Sequence, residues 1–155
     1  LVRLSGLVSE VSKFNIPLLL PLTEEQGGGY LAVLGQAGSG RWSIAPAYQG
    51  QKTLSTTELD NLGMRMTILP WIDFASIGYV AVPNVKGENV RRLQFLLGLT
   101  GCLNIPTNGR YDTPSVNCIK GFQRDHNLVV DGLVGPRTLI LLYQSAGAYK
   151  IPQLL

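Results

Sequence analysis

Apolar and polar positions follow two different periods along this chain. Up to Pro83 the apolar residues come in short runs broken by glycine and proline, the pattern of strands and turns. From Glu88 onward they recur every three or four positions, the period of one helix face. In the first region, residues 14–22 (FNIPLLLPL) read as extended, and Pro17 and Pro21 mark an edge strand or a strand end. Residues 27–50 hold two β-rich runs around a glycine-rich turn, which predicts a hairpin. Ser55 with Glu58 three places later is a capping box that opens a short helix ending near Gly63. Residues 64–71 resume as a strand, and 71–89 read as a linker-like stretch. No internal repeat or low-complexity tract appears.

In the second region Val90, Leu93, Leu96 and Leu97 define a first helix, with Gly98 and Gly101 at its end. Thr113 and Pro114 read as the cap and first residue of a second, whose apolar face is Val116, Ile119 and Phe122 and which stops around Asn127. Asp131-Gly132 predicts a turn. Pro136 opens a third helix with Leu139, Leu142 and Tyr143 inward, closed by Gly147. The expected fold class is α+β. A mostly antiparallel β domain spans 1–83, and a three-helix bundle spans 88–147.

Composition narrows the class. With 155 residues, 45% of them hydrophobic and 15% charged, the chain can bury a core, and intrinsic disorder is not expected. Its longest apolar run, 16–22, contains two prolines and falls far short of the ~20 residues that span a bilayer. No basic, apolar leader opens the chain, and its first residue is Leu1, so a piece of a longer protein is expected. The net charge of +3 is uneven. Six bases balance six acids through Lys86, whereas seven bases face four acids beyond it. That excess mildly favours an anionic partner. It is too sparse for nucleic acid, which needs a dense basic stripe.

Cys102 and Cys118 are the only cysteines, and His126 the only histidine, so a four-ligand structural zinc site cannot be assembled. A disulfide in an oxidising compartment and a pair of buried thiols both remain open. The disulfide is favoured, because a bundle of roughly 60 residues is marginal without a staple. No cofactor is expected. Residues 35–42 imitate a phosphate-binding loop, but Arg41 and Trp42 stand where lysine and a magnesium-binding hydroxyl are needed, and a strand follows. A hairpin turn is the better reading. His126, in a polar run, reads as a solvated helix end.

The second region resembles the three-helix peptidoglycan-binding domain family. Leu93-Gln94 matches the Leu-Gln pair of that family's first helix. Gly109, Tyr111 and Thr113 match its approach to the second, and Phe122-Gln123 its Phe-Gln pair. Asp131, Gly132, Val134, Gly135, Pro136 and Thr138 complete an Asp-Gly-x-Val-Gly-Pro-x-Thr signature. Residues 104–108 are slightly longer than the compact family loop. The resemblance implies a module that holds cell-wall peptidoglycan and has no required catalytic residue. Candidate ligand contacts are Gln94, Arg110, Tyr111, Gln123, Asp131 and Arg137, whose amide, phenol, carboxyl and guanidinium groups can bind stem-peptide amides and carboxylates. The expected surface is a groove bordered by the first two helices and the 131–138 turn.

The first region is similar to the strand region of bacteriocin-processing (C39-like) cysteine peptidases. The family's histidine position is held by Tyr30 and its aspartate position by Ala45, and no cysteine precedes Cys102. A triad needs nucleophile, base and orienting group, so a degenerate, non-catalytic domain is expected. The pairing of the two domains resembles the periplasmic end of the general secretion pathway A ATPases. That resemblance implies periplasmic location, a membrane-anchored ATPase parent and a B-type partner, with a role in placing the type II secretion outer-membrane secretin. The alternative is the wall-targeting module of a peptidoglycan hydrolase or peptidase.

Overall fold

The computed structural model describes residues 2–62, 66–69, 71–80, 83–151 and 153–154. The chain divides into two compact units, Leu1–Ile72 with Ile151–Leu155, and Asp73–Lys150. The first is built on an antiparallel six-stranded sheet and the second on three helices, an α+β arrangement with the helical part C-terminal.

The sheet strands are β1 (Val2–Ser5), β2 (Leu18–Pro21), β3 (Tyr30–Gln36), β4 (Arg41–Tyr48), β5 (Gln51–Ser55) and β6 (Met66–Leu69), in spatial order β1-β6-β2-β3-β4-β5. Helix α1 (Val8–Val11) follows β1, and helix α2 (Thr56–Leu62) follows β5. The last strand in sequence inserts beside the first, pairing Val2 with Leu69 and Ser5 with Met66. It meets β2 at Leu19–Ile68, so β2 is an interior strand. The edge-strand alternative therefore falls, for a local reason. Pro17 precedes β2 and Pro21 closes it, where a missing N–H removes no interior ladder bond.

Cross-strand pairs Leu18–Val33, Leu20–Leu31 and Val33–Ile44 fall on one buried face of the sheet. Val8, Val11 and Phe14 are buried with them in the core of this unit. Full burial of such side chains contributes about 1.5–3 kcal/mol each before chain entropy is subtracted. The expected hairpin is β3–β4, and its turn is closed by Ala37 N donating to Arg41 O at 2.9 Å. The capping box is formed: Ser55 N donates to Glu58 Oε2 at 2.7 Å, and Glu58 N to Ser55 Oγ at 3.2 Å. The Ser55 N–H, and with it the Ser55 hydroxyl donating to the same oxygen at 2.7 Å, hold the Glu58 carboxyl below its ordinary pKa. Gly63, Met64, Arg65 and Pro70, at the expected helix end and strand flanks, lie outside the described residues.

In the second unit the helices are α3 (Glu88–Leu99), α4 (Thr113–Asp125) and α5 (Pro136–Ala146). Val90, Leu93, Leu96, Leu97, Ile119, Phe122, Leu139, Leu142 and Tyr143 form their shared core. Val116, expected inside, is only half-buried. Gly147 ends α5 in the left-handed region at φ 63°. Helix α4 is capped by Asp112 rather than Thr113. The Asp112 carboxylate accepts from Ser115 N at 3.5 Å and from Ser115 Oγ at 3.1 Å, reaching a turn donor from the position before the helix.

The stretch expected to be linker-like belongs in large part to this unit. Val80 exchanges two backbone bonds with Val134, at 2.8 and 3.1 Å. Asn89 Nδ2 donates to Ile77 O, and Arg92 Nη1 donates to Ala75 O. The Tyr143 hydroxyl accepts from Ala75 N at 2.7 Å and donates to Asp73. Its polar tethers sit on α3 and α5, which is why the stretch itself looks featureless in sequence.

Candidate functional site

Two buried glutamines organise the second unit. Gln94 on α3 is 0% exposed and Gln123 on α4 is 2% exposed. Gln94 Oε1 accepts from Gly109 N at 2.8 Å, and its amide nitrogen lies 2.9–3.0 Å from Asn108 Oδ1, Arg110 O and Ser115 Oγ. Gln123 repeats the scheme one helix later. Its Oε1 accepts from Gly132 N at 2.8 Å, and its nitrogen faces Asp131 Oδ1, Leu133 O and Thr138 Oγ1 at 2.8, 2.9 and 3.3 Å.

The two turns correspond position by position: Asn108 with Asp131, Gly109 with Gly132, Arg110 with Leu133, Tyr111 with Val134, Ser115 with Thr138. Both also pair with backbone that precedes α3. Tyr111 N donates to Val85 O, and Val134 N donates to Val80 O, each at 2.8 Å. The bundle therefore contains one helix–turn device twice, against the expectation of no internal repeat. The copies share a buried Gln, a turn Gly and small polar flanks, too few positions to produce a visible sequence period.

Tyr111 joins the copies. It is 0% exposed, and its hydroxyl donates to Gly132 O. Burial, and secondarily the Asp131 carboxylate, push its phenol well above the ordinary value. Gly132 has φ +75°, and a Cβ there would meet Val116 Cγ1 at 2.9 Å, so glycine is required on both counts. The Asp112 carboxyl is held below its ordinary range, chiefly by the Asn108 side-chain bond at 3.1 Å.

The six sequence-predicted contacts thus separate by position. Gln94, Tyr111 and Gln123 are buried, with their polar atoms committed inside the unit. Asp131 is exposed, but its Oδ1 is taken by Gln123 Nε2 and by Leu133 N at 2.8 Å each, so it braces its own turn. Arg110 is exposed and Arg137 half-buried. Cys102 and Cys118 are joined, with Cα atoms 6.0 Å apart, tying the loop after α3 to α4. His126 caps the end of α4 and is not simply solvated. Its ring packs edge-on to Phe122, centroids 4.1 Å apart, and Nε2 lies 3.3 Å from Ser145 Oγ.

Sequence reasoning passed over a groove of about 530 Å³ in this unit, whose lining includes Phe74, Arg91, Phe95 and Tyr149. One signal was available: Phe95 falls off the apolar face set by Val90, Leu93 and Leu97. In the first unit, Tyr30 begins β3 and is exposed, and Ala45 pairs with Ala32 on the neighbouring strand. Arg41 after the glycine-rich turn starts β4, with Nη2 donating to Thr53 O at 2.8 Å. Among the described residues, no group of three or more His, Cys, Asp or Glu could hold a metal ion.

Residues 86–142 match the family model described as "Putative peptidoglycan binding domain". The matched span holds both turns and both clamping glutamines. Among solved structures, the chain is similar to a periplasmic domain of the EpsAB fusion protein of the Vibrio vulnificus type II secretion system. That similarity has 22% identity and a TM-score of 0.50, covering 97% of this chain and 66% of the other. It is also similar to a peptidoglycan-binding protein from Clostridioides difficile, solved in complex with glutamine hydroxamate. There the identity is 21% and the TM-score 0.42, covering 77% of this chain and 61% of the other. The chain thus spans less than two thirds of the length of either solved chain. The Vibrio likeness shows a shared fold. No curated protein matches the chain. No helix among the described residues is long and apolar enough to cross a membrane.

Proposed function

We propose that the chain is the non-catalytic, periplasmic, peptidoglycan-binding region of a secretion-pathway A-type ATPase. In this reading a membrane-anchored parent uses it to hold the cell wall while, with a B-type partner, it helps place the type II secretion outer-membrane secretin. The observation that carries the reading is the family match over 86–142, which spans the doubled glutamine clamp. The fold shared with the periplasmic domain from a type II secretion system supports the secretion setting. Tyr30 and Ala45, at the positions of a peptidase base and its orienting acid, support the absence of catalysis. We assign 1–83 to a degenerate peptidase-like domain and 88–147 to the wall-binding domain. Within the latter, Gln94, Tyr111, Gln123 and Asp131 act by holding the turns, and the exposed Arg110 is the better placed direct contact among the six. The disulfide suits an oxidising compartment.

The test is co-sedimentation of the chain with purified peptidoglycan, followed by analysis of the supernatant for released muropeptides. Pelleting without release is expected. Soluble fragments produced by the pure protein would overturn the non-catalytic reading, and failure to pellet would overturn wall binding.

A further inference from the structure

Helix α3 presents an apolar face that its bundle does not cover. Phe95 is 60% exposed, and Leu99, one turn later, is also exposed. Beside Phe95 lies the groove of about 530 Å³. Phe74 and Tyr149 also line it and are stacked on each other, with centroids 5.3 Å apart and planes at 16°. Tyr143 meets both rings edge-on, at 6.1 and 5.0 Å, and fixes the pair from below. The apolar side of the groove is therefore preformed.

Its polar side is cationic. Arg91 and Arg92 both line the groove against a single acid, Glu88. Arg92 is structurally committed, since Nη1 donates to Ala75 O at 2.9 Å and so anchors the segment that bears Phe74. Arg91 is not tied in this way. Its pair with Glu88 is 3.5 Å long, and both side chains are more than half exposed, at 57% and 59%. Such a pair is worth little in water, so an incoming carboxylate can replace Glu88 at small cost. A guanidinium also offers a carboxylate two parallel bonds, which a lone exposed i,i+3 pair does not exploit. The groove abuts the first clamped turn: a Cβ at Gly109 would lie 3.8 Å from Arg91 Cβ, and Thr107 contributes to the lining.

Resting on the wall-binding reading above, we propose that this groove takes the stem peptide of peptidoglycan. One of its carboxylates lies on Arg91, and its methyl and methylene groups lie against Phe74, Tyr149 and Phe95. Two features match that ligand: two guanidinium groups against a single acid, and an exposed aromatic wall. The glycan is the poorer fit. Its sugars offer Arg91 no charge where the lactyl carboxyls are tied up as amides to the stem peptides, and Phe74 and Tyr149 cover each other instead of offering a row of open faces for sugar rings.

The experiment compares the full chain with Arg91→Ala, Arg91→Lys and Phe95→Ala, all at exposed positions, using three probes. These are intact sacculi, a synthetic stem tetrapeptide with free carboxylates, and glycan strands stripped of peptide by amidase, with the lactyl carboxyls thus freed capped as amides. Wild type is expected to bind sacculi and tetrapeptide and to ignore stripped strands. Arg91→Ala should weaken tetrapeptide binding about tenfold or more, with partial recovery in Arg91→Lys, as loss of one charge-assisted contact implies. Phe95→Ala should weaken it several-fold with an unchanged circular dichroism spectrum. If both alanine variants bind sacculi like wild type while Arg110→Ala or Arg137→Ala does not, the groove is overturned and wall binding stands. Equal binding of stripped strands overturns the stem-peptide assignment alone. If wild type binds none of the three probes, the wall-binding reading fails and takes this one with it.

Discussion

Gln94 and Gln123 occupy equivalent places on successive helices, each accepting the amide of a turn glycine at 2.8 Å. Each also presents its amide nitrogen to the residue before that glycine, the carbonyl after it, and a hydroxyl in the first turn of the next helix. A single side chain thereby satisfies two turn backbone groups, the glycine N–H and the carbonyl after it, that would otherwise lose a partner. Replacing either by leucine keeps volume and strands those groups. Each Gln→Leu variant should lose about 2–4 kcal/mol, since an unsatisfied buried polar group costs ~1–3 kcal/mol and more than one is exposed to that penalty. Urea midpoints of the two variants, compared with wild type, check this. Similar losses at both sites are expected from the equivalence of the turns.

Gly132→Ala combines left-handed backbone strain with a clash against Val116 Cγ1 at 2.9 Å. The first costs ~1–2 kcal/mol and the second ~1–3 kcal/mol. Gly147→Ala, at φ +63° with nothing within 4 Å, carries only the first. Thermal unfolding should therefore rank Gly132→Ala well below Gly147→Ala.

Reducing the Cys102–Cys118 bond should destabilise the helical unit. The residues are 16 apart, for which chain-entropy models give roughly 3 kcal/mol. Melting curves with and without reductant, followed by proteolysis to separate the two units, read the effect. Non-reducing mass spectrometry should find no free thiol in protein made under oxidising conditions.

Alkaline pH should unfold the helical unit through Tyr111 and Tyr143. Burial is the main cause that raises both phenols above the ordinary value of 10. The folded state therefore holds each proton more tightly than the unfolded chain. That contribution is complete below pH 10 and is lost progressively as pH rises toward the folded-state values. Tyr111→Phe should flatten the alkaline slope. It should also cost about 1–3 kcal/mol at neutral pH, because Gly132 O loses its hydroxyl donor. Denaturant midpoints taken across the alkaline range, together with phenolate absorbance, check both halves.

By itself the sequence determined most of the local structure. Glycine-rich turns between β-branched and aromatic runs dictate the β3–β4 hairpin, and the Ser55–Glu58 spacing dictates the start of α2. The period of Val90, Leu93 and Leu97 dictates α3, because these signals act over a few residues where backbone sterics and apolar spacing suffice. The family motif around Gln94, Gln123 and the Asp131–Gly132 pair was also legible as a pattern. Only tertiary structure decided what that pattern does. Gln94, Gln123 and Tyr111 look like surface-ready polar groups in a linear chain. They become turn clamps because the packing of three helices removes them from water and makes partners of residues 8–21 positions away. The insertion of β6 between β1 and β2 was likewise invisible, since strand order depends on pairings distant in sequence. The groove beside Phe95 exists for the same reason: Tyr143 and Arg92 reach across the fold to seat Phe74, and no local spacing records that meeting.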